Sequence, residues 1–590
     1  MTTDKPSNIN EHFVISQYKK QEYGPFQKYL IIVTSCIFSI IYSTILCSGA
    51  VICHFYDKLF DRETKKIDSL SEGDLQRNGY TPRKPYDNID SMKPTSELRY
   101  YLLELGLDLE EYSVNTPDGY ILVLHHIIDP KESVEVRKLR KPAFLQHGLL
   151  SCSGAFIATG KNSLAYYLHN DLGYDVFLGN NRSWFRAQST QFSGNLYNNE
   201  MYWKWGIKEL AYIDLPCFIE TVMNMKKPNH DKLILFGHSQ GGLESFLMLR
   251  NPQLTHIHEQ IELFVPLAAA VYPGYLFHTR SFIRILCMFP DKLWLYLFGF
   301  CAMLRNLCLV RYYICHTWLF GKLSYYMFKF LFNWTSIYWG TNAKVWHFCS
   351  IFNMSYVSVE LMKYYLCKAN PVGFVSMLQP KQAFNPDDLY SASDLQACTK
   401  DDSGSFFPYR QSWFADANLK IKVPMMVVIG EEDFLVDGRR LYQHMKDFEP
   451  DYEPGINLEL VAISRYNHLD VCWAEDVIGT IGYPMREFLS RLSLKKVGKE
   501  KSSSEERELI STEDSFASSV RAEDNRMKIV PNGHDTILSD LQTSPRYVKK
   551  FVAKTKEEAK EVDKFGATFQ NDDLIVSVND GENKTTIPVF

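Results

Sequence analysis

No dense block of lysine and arginine occurs in the first 490 residues of this 590-residue chain, and its formal net charge is -5. The basic footprint of a nucleic-acid-binding protein is therefore missing, and no nucleic-acid partner is expected. Cysteine is present but unorganised: the 13 residues are odd in number and none is spaced C-x-x-C, which indicates neither a zinc site nor a disulfide framework. No H-E-x-x-H pair or other metal-ligand spacing occurs, which disfavours a zinc mechanism, and neither a metal nor an organic cofactor is expected. No internal repeat is visible either.

Long uncharged runs are scarce, with one exception. Tyr29–Cys53 runs 25 residues without a charge. As a helix it would be about 37 Å long, against a hydrocarbon core of about 30 Å. It lies too far into the chain, and is too long, for a signal peptide. A retained membrane anchor is expected over 29–53, behind a polar segment at 1–28. Basic residues flank it on both sides (Lys19, Lys20 and Lys28 before; Lys58, Arg62, Lys65 and Lys66 after), so charge assigns no orientation. Its six serines and threonines leave open a helix or hairpin dipping into one leaflet, as a lipid-droplet monolayer would require. The expected location is a membrane: a lipid droplet, the endoplasmic reticulum or the plasma membrane. Four N-x-S/T sequons, at Asn181, Asn333, Asn353 and Asn583, do not by themselves establish a luminal face.

The remainder divides by composition. Residues 54–95 read as a charged linker and 495–590 as a Ser-rich, mostly disordered tail. Between them, apolar runs of strand length alternate with helical segments, the pattern of an α/β fold with a mostly parallel sheet. Tyr112–Ile127 reads as a hairpin turning at Pro117-Asp118-Gly119, and further strands are expected at 143–145, 175–178, 233–236, 263–267, 425–429 and 458–463. The core is thereby split into 96–270 and 396–494 by an insertion at 271–395 rich in Leu, Phe, Tyr and Trp. Its uncharged runs are too short to span a bilayer. It reads either as a buried helical subdomain or as a cap whose inner face binds a bulky apolar ligand while its outer face rests on lipid.

The stretch LILFGHSQGG, Leu233–Gly242, carries the G-x-S-x-G pattern as Gly237, His238, Ser239, Gln240 and Gly241, between a strand and a helix. That context would hold Ser239 on a sharp turn at the top of the sheet, with glycines where a Cβ would collide. A serine hydroxyl needs a base to take its proton, and the base needs a third group to orient it. In an α/β-hydrolase these follow in the order Ser, Asp or Glu, His, past the carboxyl ends of late strands. VPMMVVIGEEDFLVDG supplies Asp433 in the loop after one strand, with Asp437 better placed as the N-cap of the next helix. LELVAISRYNHLDVCW supplies His468 after another, and Asp470 reads as a cap or surface carboxylate. His125, His126, His256 and His258 lie upstream of, or too close to, the nucleophile strand to serve. For the oxyanion, the two donors expected are the backbone amides of Gln240 and of Leu149, the latter following His147-Gly148 after an early strand.

With LQHGLL, NTPDGYIL, GHSQGG, GEEDFLVD and YNHLD in order, residues 96–490 resemble the acid lipase family of gastric and lysosomal lipases, and the anchor and polar tail resemble its fungal membrane-anchored steryl ester hydrolases. The resemblance implies an α/β-hydrolase fold and a triad of Ser239, Asp433 and His468. It also implies two-step acyl transfer on a neutral lipid, read as hydrolysis of steryl esters to free sterol and fatty acid at a membrane or lipid-droplet surface. The chain departs from the family's G-N-S-R-G loop at Asn181 and Ser183, and its cap is similar to the secreted members only weakly. Two rival readings are a triacylglycerol lipase or acyltransferase using the same triad, and a catalytically silent lipid-binding or tethering protein.

Overall fold

The computed structural model describes residues 23–60, 77–381 (apart from 304, 336, 337, 340, 341, 369, 371 and 372), 423–495, and three strands between 568 and 589. Its first compact unit contains the long helix α1, Pro25–Phe60, followed by the strands β1 (Asp108–Asn115), β2 (Ile121–Ile128), β3 (Pro142–Gln146) and β4 (Asp175–Asn180). Next come α2 (Leu215–Lys226), β5 (Leu233–His238), α3 (Gln240–Arg250) and β6 (Ile261–Leu267). The cap helices are α4 (Ser281–Cys287), α5 (Asp291–Phe298), α6 (Arg305–Ile314), α7 (Trp318–Phe332), α8 (Ala343–Ile351) and α9 (Val359–Leu366). β7 (Met425–Gly430), α10 (Gly438–Phe448) and β8 (Leu458–Ile463) complete the core.

The strands form one sheet in the order β1-β2-β4-β3-β5-β6-β7-β8. The β1–β2 hairpin is antiparallel and joins β4 antiparallel; from β4 to β8 every pairing is parallel. Sequence and burial agree on why. PAFLQ, DVFLGN, LILFGH and MMVVIG are buried at every position, as parallel strands covered on both faces must be, whereas β1 at the edge is mostly part-exposed. Parallel alignment brings the carboxyl ends of β5, β7 and β8 to one edge of the sheet, and Ser239, Asp433 and His468 follow those ends.

The cap helices lie between β6 and β7, and residues 382–395 of the span expected for the cap lie outside the described residues. The expected linker is different from its reading. α1 continues to Phe60, and Tyr80, Tyr86, Ile89 and Met92 are buried in the core, with the Tyr80 hydroxyl donating to Asn162 Oδ1 at 2.8 Å. Four apolar anchors thus outweigh the charged composition of 77–95, and 61–76 lie outside the described residues. Most of the tail also lies outside them; within it, β9 (Thr568–Gln570), β10 (Asp573–Asp580) and β11 (Asn583–Val589) pair as a three-stranded antiparallel sheet in a second unit, 505–590.

Candidate active site

The turn between β5 and α3 places Ser239 at φ 53°, ψ -112°, a conformation that a side chain bears only under strain. Its neighbours hold it there. The Ser239 amide donates to the Leu267 carbonyl (2.9 Å), and the Ser239 carbonyl accepts from the Ala270 amide (2.9 Å). Two glycines make the turn sterically possible: a Cβ on Gly237 would lie 2.5 Å from the Gly241 carbonyl oxygen, and one on Gly241 would lie 2.5 Å from the Gln146 carbonyl oxygen.

His468, in the loop after β8, turns its ring toward this serine. Nε2 lies 2.8 Å from Ser239 Oγ, and Nδ1 lies 2.7 Å from Asp433 Oδ2. A carboxylate oxygen can only accept, so Nδ1 carries the proton and Nε2 is left free to receive the serine's. Asp433 Oδ1 is held in turn by the amides of Leu435 (3.0 Å) and Val436 (3.3 Å), which fixes the carboxylate plane. Asp437 takes the other role open to it, accepting from the Arg440 amide at 3.0 Å as the N-cap of α10. His238 lies beneath the site: burial, reinforced by the neighbouring His468, pushes its pKa down to about 3, and its Nε2 is 3.1 Å from the His468 carbonyl oxygen. It is a neutral buttress for the histidine loop.

The loop after β3 closes the other side. A Cβ on Gly148 would meet Ser239 Cβ at 3.0 Å, so the chain passes as close to the serine as a glycine permits, and the next residue, Leu149, lines the same cavity as Ser239 and His468. Gln240 begins α3, where the amide has no intrahelical partner. The other histidines serve the framework: His126 Nε2 is 2.6 Å from Asp175 Oδ1, His125 Nδ1 is 2.8 Å from Ser153 Oγ, His258 Nε2 is 2.9 Å from the Met248 carbonyl, and His256, on the surface, pairs with Glu220.

Three features escaped the sequence. Trp334 from the cap stacks on the His468 imidazole, 5.4 Å between ring centres and 17° between planes. Asn467, beside His468, donates from Nδ2 to the Thr335 carbonyl at 3.1 Å, a second strut between cap and histidine loop. Of the two readings of Asp470, a cap or a surface carboxylate, the surface one does not hold: it is 1% exposed at the start of a short helix and accepts from Trp339 Nε1 and the Asn467 amide, both at 2.7 Å. The reason is the cap, which brings Trp339 onto the start of the helix that Asp470 opens. Burial pushes the Asp470 carboxyl well above the usual carboxylate range.

Beneath the elbow, Glu244 Oε1 accepts from Gln240 Nε2 (2.9 Å) and Asn181 Nδ2 (3.2 Å). This accounts for Asn181 in the loop after β4: its amide supplies a donor to a buried carboxyl, and the Ser183 hydroxyl donates to its Oδ1. Asn181 and Asn353 are both buried, so of the sequons with described side chains only Asn333 is exposed. Burial raises the Glu244 pKa well above 4.5, so on raising the pH the unfolded chain releases this proton before the folded one does. Stability from this group is complete at low pH and declines above the unfolded value by up to about 1.4 kcal/mol per pH unit. Glu244→Gln keeps shape and acceptor but removes the titration. The variant is expected to gain stability relative to wild type between about pH 5 and about pH 8 in urea denaturation; parallel curves would mean an ionised Glu244 in the fold.

One model of sequence families, a partial α/β-hydrolase lipase region, matches residues 98–160. Human gastric triacylglycerol lipase is 33% identical over 213 residues (35% of this chain, 50% of the relative), and human lysosomal acid lipase/cholesteryl ester hydrolase 31% over 196 (33% and 46%). Sterol esterase 2 of Saccharomyces cerevisiae is 31% identical over 479 residues, 73% of this chain and 82% of the relative. The chain belongs to the acid lipase family of α/β-hydrolases. As a member of that family it is a carboxylic ester hydrolase. The acid lipase core accounts for the sheet and the elbow; Trp334, Trp339 and Thr335 show that here the cap also helps to hold the histidine loop.

Proposed function

We propose that the chain hydrolyses steryl esters to free sterol and fatty acid at the surface of a lipid layer. Ser239 acts as nucleophile, His468 as general base and then acid, Asp433 as its orienting partner, and the amides of Leu149 and Gln240 as the oxyanion hole. The Ser239–His468–Asp433 chain of contacts at 2.8 and 2.7 Å, opening on one cavity, carries this reading. Ser239 attacks the ester carbonyl as His468 Nε2 takes the hydroxyl proton. The tetrahedral intermediate expels the alcohol, which receives that proton from His468. Water, activated by the same histidine, then cleaves the acyl-enzyme and releases the fatty acid.

The choice of ester rests on the walls. Apart from the catalytic groups, the cavity is built largely from side chains such as Phe277, Phe282, Met327, Phe328 and Leu331, which suit a bulky uncharged ligand. The long match to a sterol esterase supports the same choice. The outer surface suits lipid. α1 exposes Ile32, Ile52 and Phe55, and the cap exposes Met288, Tyr312, Tyr313 and Leu319, large apolar side chains suited to contact with lipid. Among the described residues α1 is the one helix long and apolar enough to cross a bilayer. Its two polar ends nonetheless meet the same catalytic unit, Lys28 at Glu200 (3.1 Å) and Asp57 at Lys329. A helix held at both ends to one body suits a single lipid leaflet, such as a lipid-droplet monolayer, better than a crossing of the bilayer.

The full chain, purified in detergent micelles, is expected to turn over cholesteryl oleate at least tenfold faster than triolein at equal surface concentration. Equal turnover would sink the steryl preference and favour a triacylglycerol lipase; no turnover of either would sink the hydrolase reading for neutral lipids.

A further inference from the structure

The buried positions of α1 are Ile31, Tyr42, Leu46, Gly49, Ala50 and Asp57. At about 100° per residue they fall on one narrow stripe, so the helix presents a single face to the protein. That face is fitted in detail. The Thr34 hydroxyl donates to the Tyr296 carbonyl at 2.8 Å, and the Tyr42 ring sits 5.1 Å from Phe282. A Cβ on Gly49 would lie 2.7 Å from the ring of Phe330, so that aromatic occupies the space a side chain would need. A tether whose task is to keep an enzyme near a membrane requires none of this.

The same stripe reaches the substrate cavity. Tyr42 and Leu46 line the cavity that Ser239, His468 and Leu149 also line, together with Phe282 and Phe328 of the cap. We infer that α1 is a substrate-binding element, a wall of the chamber in which Tyr42 and Leu46 contact the long apolar portion of the ester, so that the segment lodged in lipid also selects the lipid substrate. The inference rests on the hydrolase reading above and adds to it a binding role for the anchor. A chain so built would couple attachment to lipid with completion of its own chamber, because the wall cannot be in place while the helix is elsewhere.

The test compares a long and a short ester on the full chain in detergent micelles. Leu46→Trp, which fills the chamber, is expected to lower kcat/KM for cholesteryl oleate at least tenfold while 4-nitrophenyl acetate hydrolysis stays within about twofold of wild type. Leu46→Ala, a milder change that guards against a folding failure of the tryptophan variant, is expected to lower the same long-to-short ratio about threefold. Ile40→Trp, on the exposed face of α1, should leave the ratio unchanged. An unchanged ratio in both Leu46 variants would overturn the inference. So would a parallel loss of both esters together with serine labelling by a fluorophosphonate, since that would assign the helix to folding alone. Wild-type protein that cleaves neither ester would overturn the hydrolase reading itself, a failure visible before any helix variant is made.

Discussion

Replacing Ser239 by alanine is expected to lower kcat for ester hydrolysis by about 10⁴- to 10⁶-fold, the range seen when the nucleophile of a triad is removed. In the proposed mechanism the hydroxyl oxygen receives the acyl group, and the alternative route, direct attack by water, must do without a covalent intermediate. The change should be confined to kcat. Ser239 occupies a strained backbone position set by the Leu267 and Ala270 contacts and by Gly237 and Gly241, none of which uses its hydroxyl. The cavity walls that would bind the ester are likewise untouched, so KM should remain within a few-fold and the melting temperature close to wild type. Single-turnover kinetics on cholesteryl oleate and a thermal melt check both halves of this expectation. Activity near wild type would mean that another residue is the nucleophile.

Asp433→Asn should cost about 10³- to 10⁴-fold in kcat with no loss of fold, and its geometry says why. Oδ1 accepts from the Leu435 and Val436 amides, so an asparagine would keep its carbonyl oxygen there and turn its NH₂ toward His468. Facing two donors, Nδ1 of the imidazole would have to become an acceptor, which moves the ring proton to Nε2. That atom lies 2.8 Å from Ser239 Oγ and could no longer take the serine's proton. Asp433→Ala, lacking the wrongly directed donor, should be no worse than the isosteric asparagine. An asparagine variant with a rate within tenfold of wild type would remove Asp433 from the mechanism.

The parts of this site that could be read directly from the sequence are those whose chemistry constrains local order. Glycines at 237 and 241 flank Ser239 because a Cβ at either position would lie 2.5 Å from a backbone carbonyl oxygen, and Asp433 and His468 come after runs of strand length, the unbroken apolar MMVVIG and the largely apolar LELVAI. Long-range packing left weaker traces. Asp470 looks like an ordinary helix-start carboxylate until Trp339, 131 residues earlier, is placed against it. Residues 77–95 look like linker because charge dominates their composition, while the few tyrosines and aliphatics that anchor them are inconspicuous. The double role inferred for α1 has a different kind of trace: lipid and an apolar chamber select the same side chains, so a helix with one face on each would read as uniformly hydrophobic. The signals that could have distinguished the faces are small, chiefly a tyrosine at 42, a glycine at 49 and an aspartate at 57 on one stripe.

The most direct measurement is peptide mapping of the full chain after reaction with a fluorophosphonate, which traps an activated serine as a stable adduct. The account predicts a single modified residue, Ser239, protected by prior addition of cholesteryl oleate and unlabelled when His468 is replaced by alanine. An adduct on any other serine, or labelling of Ser239 that neither the ester nor the loss of His468 diminishes, would contradict it.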